Sequence, residues 1–271
     1  LRLRKMYDGY HFSAKSQGVY NPYSLLLALK KRRFGSYWFE TGTPTFLVRR
    51  LKEMAFDVRQ FENRTLEATE AAVSDYRTGN PDPIPLLYQT GYLTLKDADA
   101  GQEIYTLGFP NDEVRYAFLQ SLVPEYIPES GPGTGKDLLT LRRYVETGNL
   151  EGIRKLLTAL FASITYTDRE VPFEHYFQTV LYLTFTLLGQ YAICEVHTSE
   201  GRIDCVVETK DFVYLFELKR DDSVENALQQ IEDRHYADRY VADPRTVYKI
   251  GVSFSSRTRQ LDGWRVSGAG A

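Results

Sequence analysis

The chain has 271 residues, 43% of them hydrophobic and 25% charged, with a formal net charge of −3. That composition can build two modest cores. It excludes a disulfide scaffold, with two cysteines, a membrane span, since no apolar run is long enough, and a uniformly basic duplex binder.

In the N-terminal half, Tyr7-Asp8-Gly9-Tyr10-His11-Phe12 is an aromatic segment around a turn glycine. Asn21 and Pro22 predict a helix start, as cap and first-turn proline. Leu25, Leu26, Leu27 and Leu29 give that helix an apolar side, and Lys30-Lys31-Arg32-Arg33 closes it. Cations suit a helix C-terminus; a phosphate-binding patch is the alternative reading, weakened by the shortness of the run. Thr43-Pro44 starts another helix carrying Phe46, Leu47, Leu51 and Met54, and Gly91 stops a helix containing Pro85 to Gln89. Leu93 to Leu95 and Glu103 to Leu107 alternate about a polar tip, which predicts a β-hairpin. Pro110-Asn111-Asp112 opens one more helix. Helices followed by a hairpin suggest a winged-helix-like domain over residues 1–127.

Pro124, Pro128, Gly131, Pro132 and Gly133 mark a boundary, and residues 128–271 form a second domain with a helical lead-in. Gly131-Pro132-Gly133-Thr134-Gly135-Lys136-Asp137 lacks the spacing and the hydroxyl of a phosphate-binding loop and reads as linker. No ATP site is therefore assigned. Two helices follow, near 138–148 and 150–164. Phe173, Phe177, Val180, Leu181, Leu187 and Leu188 then form a helical stripe to about Gln190. Ile193 to Thr198 reads as a strand. Cys194, Glu195 and His197 lie on it without zinc-site spacing, so a packed or surface histidine is preferred. Ser223 caps a helix expected to reach Val241, and Val247 to Phe254 is a further strand. The tyrosines, 20 in all, are expected on surfaces and seams.

The chemistry concentrates in Gly201-Arg202-Ile203-Asp204 and Phe216-Glu217-Leu218-Lys219. The intervening β-branched and aromatic runs predict two strands joined at Thr209-Lys210-Asp211. An antiparallel pair folded about the Lys210/Asp211 bond sets Asp204 opposite Glu217, with Lys219 on the same face. Opposed carboxylates repel unless something offsets the charge, and oxygen ligands of this kind suit Mg²⁺ or Mn²⁺. Such an ion activates water and polarises phosphoryl groups, while the Lys219 ammonium can orient the water or steady developing charge. A solvated acid pair neutralised by Lys219 is the plainer alternative.

The order helix, three strands, helix, strand, with these motifs, resembles the PD-(D/E)xK nuclease superfamily. Glu174-His175-Tyr176, Gly201 to Asp204, Phe216 to Lys219, and Ala227-Leu228-Gln229-Gln230-Ile231 followed by Tyr236 resemble the nuclease domain at the C-terminus of bacterial AAA-ATPase-like proteins. Ile203 replaces the proline of the superfamily's name. The resemblance implies an α/β (α+β) chain whose C-terminal domain has a restriction-endonuclease-like αβββαβ core. It implies that Asp204 and Glu217 bind metal, that Lys219 is catalytic, that Glu174 is a third metal ligand and that Gln230 lies beside the site. Without it, Glu174 is a first-turn acid complementing the helix dipole and Gln230 a solvated helix residue. The implied activity is Mg²⁺- or Mn²⁺-dependent hydrolysis of nucleic acid, DNA foremost. The composition is that expected of a cytoplasmic protein, and the absent phosphate loop leads to the expectation of a C-terminal fragment lacking its N-terminal ATPase domain. A silent nucleic-acid- or protein-binding regulatory module is the second reading.

Overall fold

In the computed structural model the described residues are 2–13, 15–41, 44–54, 56–61, 66–74, 82–99, 101, 103–126, 134–162, 173–189, 193–196, 203–258 and 260–268. The chain divides into two units, Leu1–Glu125 and Tyr126–Ala271.

The first unit mixes short helices with small sheets. Helix α1 (Arg2–Tyr7) runs into β1 (Asp8–Tyr10), which pairs with β2 (Val19–Tyr20). Helix α2 (Pro22–Lys31) starts as expected: Asn21 Oδ1 accepts from the backbone N–H groups of Tyr23 and Ser24. α3 (Thr45–Glu53), β3 (Leu66–Thr69), α4 (Glu70–Ser74) and α5 (Ile84–Gln89) follow. The expected hairpin is β4 (Thr94–Asp99) with β5 (Ile104–Gly108), and β3 adds a third strand in the order β3-β5-β4. β3 was unmarked in the sequence because its four residues include two polar ones, Glu67 and Thr69. α6 (Asp112–Tyr126) is capped by Asn111, whose side-chain oxygen accepts from the Val114 N–H. It runs past Pro124, later than the boundary residues suggested.

The core of this unit is aromatic. The Phe61 ring centroid lies 5.0 Å from that of Phe109 and, edge-on, 5.9 Å from that of Phe118, and Tyr92 lies 5.0 Å from Phe118 and 5.1 Å from Trp38. Tyr7 and Tyr37 are fully buried, so here tyrosines fill the interior rather than cover a seam. Their hydroxyls permit this: Tyr7 donates to Gly35 O and Tyr37 to Arg33 O. Gly9 has φ +123°, and a Cβ there would meet the Pro110 carbonyl oxygen at 2.1 Å. Only glycine fits that close approach.

The second unit opens with α7 (Thr134–Thr147) and α8 (Leu150–Ala162). Thr134 to Asp137, read from sequence as linker, form the first turn of α7; residues 131–133 lie outside the described residues. α9 (Phe173–Leu188), β6 (Ile193–Val196), β7 (Cys205–Glu208), β8 (Phe212–Arg220), α10 (Val224–Asp233), β9 (Thr246–Ser255) and β10 (Gln260–Gly268) complete it. The sheet order is β10-β9-β8-β7-β6, antiparallel except for β8 and β9. Parallel neighbours need a crossover, and α10 supplies it. Ser223 caps α10 by accepting from the Asn226 N–H. The helix ends at Asp233, not near Val241, and a 3-10 turn at Asp238–Tyr240 replaces its last part. His235, at φ 55°, interrupts the helix, and Tyr236, Ala237 and Tyr240 reach the same core from the turns that follow. β10 escaped the sequence reading because its face is largely exposed and glycine-bearing.

β8 is the buried centre, and its alternation sorts the layers. Val213 and Leu215 pack with Val206, Ile203 and Ile231 of α10. Tyr214 and Phe216 point oppositely, Tyr214 donating to Val145 O of α7 at 2.8 Å and Phe216 lying 5.3 Å from Phe185 of α9. The result is an α/β unit with a helix-flanked sheet, a restriction-endonuclease-like arrangement. No helix among the described residues is long and apolar enough to cross a membrane.

Candidate active site

The hairpin register sets the site. Cys205 pairs with Phe216, Val206 with Leu215 and Glu208 with Val213, and Thr209 closes the turn by bonding its N–H to Phe212 O. Asp204, one residue before β7, continues this register opposite Glu217. Glu217 and Lys219 share parity with Val213 and Leu215, so they face the side covered by α10.

These groups meet. Asp204 Oδ2 accepts the Leu218 N–H at 2.7 Å. Lys219 Nζ lies 3.3 Å from Glu217 Oε1 and donates to Gln230 Oε1 at 2.5 Å. Gln230 is therefore a partner of Lys219, rather than a solvated helix residue. Glu217 is 1% exposed, and its Oε2 has no hydrogen-bond partner. Burial pushes the Asp204 carboxyl up to about 6, against the pull of the Leu218 N–H and the Lys219 charge. Burial, then the charge of Asp204, raises Glu217 to about 7, again partly offset by Lys219. Glu217 is thus buried beside Lys219 and is not a solvated acid.

The other expected residues are not all placed. Glu174 lies in the first turn of α9, but its side chain is outside the described residues, as are the side chains of Cys194 and Glu195, and His197, Gly201 and Arg202. Among the described residues no group of three or more His, Cys, Asp or Glu is arranged to hold a metal ion. The pair present still fits a hard divalent cation. Both donors are carboxylates, burial raises both, and Glu217 Oε2 is an orphaned buried acceptor.

One positioning residue was missed. Gly251 of β9 stands beside Glu217 in the parallel register. A Cβ there would fall 2.6 Å from Val224 O and 3.2 Å from Ala227 Cβ. The bare backbone lets α10 sit close enough for Gln230 to reach Lys219. A glycine inside a strand pattern is the signal that could have found it.

A family comparison covers the region that holds these residues. Residues 172–264 match the family model described as the PD-(D/E)XK nuclease superfamily, a span from the start of α9 into β10. A nuclease-superfamily domain thus occupies the C-terminal region. The chain is also 37% identical over 281 residues to a protein of Azotobacter chroococcum mcd 1 described as "Uncharacterized protein in vnfD 5'region", covering 99% of this chain and 52% of that one. The chain therefore spans about half the length of that curated relative. No solved structure matches it.

Proposed function

We propose that the chain is a metal-dependent nuclease that hydrolyses phosphodiester bonds of nucleic acid, DNA foremost. The observation that carries this is the convergence of Asp204, Glu217, Lys219 and Gln230 on the α10 face of the sheet, with one buried Glu217 oxygen left for a ligand. Asp204 and Glu217 would hold Mg²⁺ or Mn²⁺, with Glu174 as the proposed third carboxylate. Such an ion supplies Lewis-acid chemistry at a phosphoryl oxygen. Lys219, pinned between Glu217 and Gln230, presents an ammonium where charge develops on the phosphoryl group or where a water needs orienting. Gln230 holds that ammonium in place by accepting one of its protons.

The test is cleavage of plasmid and of labelled single- and double-stranded oligonucleotides with Mg²⁺ or Mn²⁺. Wild type is expected to cut, and Asp204→Asn and Lys219→Gln to fail. Equal cutting by Asp204→Asn overturns the proposal. An ATPase region elsewhere in the full-length protein is part of the same proposal; dependence of cleavage by that protein on ATP would support it.

A further inference from the structure

The charge of this chain is unevenly spread. Residues 1–34 hold eight Lys and Arg against one acid, Asp8, a net of +7 in a chain whose total is −3. The structure gathers most of that charge. α1 and the end of α2 pack on one cluster, in which Leu3, Met6, Leu27 and Phe34 surround Tyr7, Ala28 and Tyr37. The rings of Phe34, Tyr7 and Tyr37 stack in sequence, with centroids 6.1 and 6.4 Å apart. Arg2 of α1 lies 4.5 Å over Phe34, and Lys31 of α2 lies 4.5 Å over Tyr37. Cations from two elements are thus tied to one aromatic row.

Arg2, Lys5, Lys30, Lys31, Arg32 and Arg33 are all exposed. Of the acids nearby, Asp8 engages Arg4 at 3.1 Å and Glu40 engages Lys31 at 3.5 Å. These do not balance the remainder. A helix C-terminus favours one or two cations, which covers Arg4 and Lys5 in the last turn of α1 but not Arg2 or the whole Lys30-Lys31-Arg32-Arg33 run. Like charges so gathered repel one another, and a polyanion relieves that repulsion.

We propose that this α1–α2 surface of the first unit binds the phosphate backbone of nucleic acid. Arg2 and Lys31, already seated on rings, lose little side-chain freedom on binding, while Lys30, Arg32 and Arg33 reach phosphates from the helix end. Contacts of this type position a nucleic acid without reading its sequence. The choice of nucleic acid among polyanions rests on the nuclease reading above. The exposed Tyr23, Leu26 and Leu29 on α2 make an anionic membrane the competing occupant, and the test includes it.

The experiment measures anisotropy of a fluorescein-labelled 20-base-pair duplex with the full chain in EDTA, where no cleavage occurs, across a NaCl series. Each phosphate contact contributes about −0.9 to the slope of log affinity against log salt. Lys30→Ala/Arg33→Ala is expected to weaken binding by about tenfold or more at low salt and to reduce the slope by about 2. Both side chains are exposed, and unchanged thermal denaturation checks that the fold persists. Wild-type affinity and slope in this variant, or no duplex binding by wild type, overturns the proposal. So does charge-dependent binding to phosphatidylserine vesicles without binding to the duplex. Duplex binding that depends on Lys30 and Arg33, with no cleavage in Mg²⁺ or Mn²⁺, sinks the nuclease reading and leaves this surface standing. Cleavage at unchanged KM in the double variant does the reverse.

Discussion

Replacing Asp204 with asparagine should stabilise the metal-free protein while abolishing its proposed chemistry. Asparagine keeps an oxygen to accept the Leu218 N–H but removes the charge. The fold raises Asp204 from 3.8 to about 6 and Glu217 from 4.5 to about 7, so the folded state holds both protons more tightly than the unfolded chain. Stability from these groups is therefore full below about pH 4 and is lost as pH rises through 6 and 7. At about 1.4 kcal/mol per pH unit, ionising Asp204 costs the fold on the order of 3 kcal/mol, reduced to about 2 because part of the side chain meets solvent. Asp204→Asn at pH 8 in EDTA should thus raise Tm by about 4–8 °C in a unit of this size. The gain should vanish near pH 4, where both acids are protonated. Millimolar Mn²⁺ should restore stability to wild type and do little for the variant. Differential scanning fluorimetry across pH, with EDTA or Mn²⁺, reads all of this. A variant less stable than wild type at pH 8 in EDTA would refute the account of two charges confined together.

Lys219→Gln should lower the cleavage rate by about a hundredfold or more while leaving Mn²⁺ binding at pH 8 measurable by calorimetry; loss of metal binding instead would show that Lys219 only balances Glu217. Gly251→Val should force α10 away from the sheet and destabilise the second unit by about 1–3 kcal/mol in urea denaturation, and an unchanged midpoint would contradict the close approach to Val224. Asn21→Ala should cost about 1 kcal/mol through the lost cap of α2, with wild-type stability counting against that role. Gly9→Ala should cost about 1–3 kcal/mol from backbone conformation alone, visible as a lower denaturation midpoint; no change would contradict the contact with Pro110.

The hairpin was legible in sequence because its determinants are local. Alternation fixed the faces of β7 and β8, and the short Lys210-Asp211 turn fixed their register, so Asp204 and Glu217 could be paired before any coordinates. Caps at Asn21 and Ser223 were equally local. What lay beyond reach depends on distant contacts. β10 is recognisable only once β9 is present to pair with it, and Thr134 to Asp137 became helical despite flanking glycines and prolines. Gln230 was placed near the site by resemblance, but its bond to Lys219 depends on how deeply α10 settles, which Gly251 controls from another strand. The basic run at the end of α2 read as short because the cations of α1 that meet the same aromatic row are more than twenty residues upstream.

Asp204 also finishes a ladder. Main-chain pairing between β7 and β8 stops at Cys205 and Phe216, and the next donor along β8, the Leu218 amide, is taken by a side chain instead. A cation bound at Asp204 takes Oδ1 or shares Oδ2 with that amide, and either changes the charge the amide donates to. Amide exchange at Leu218 should therefore register site occupancy directly, giving a single-proton gauge of ligation.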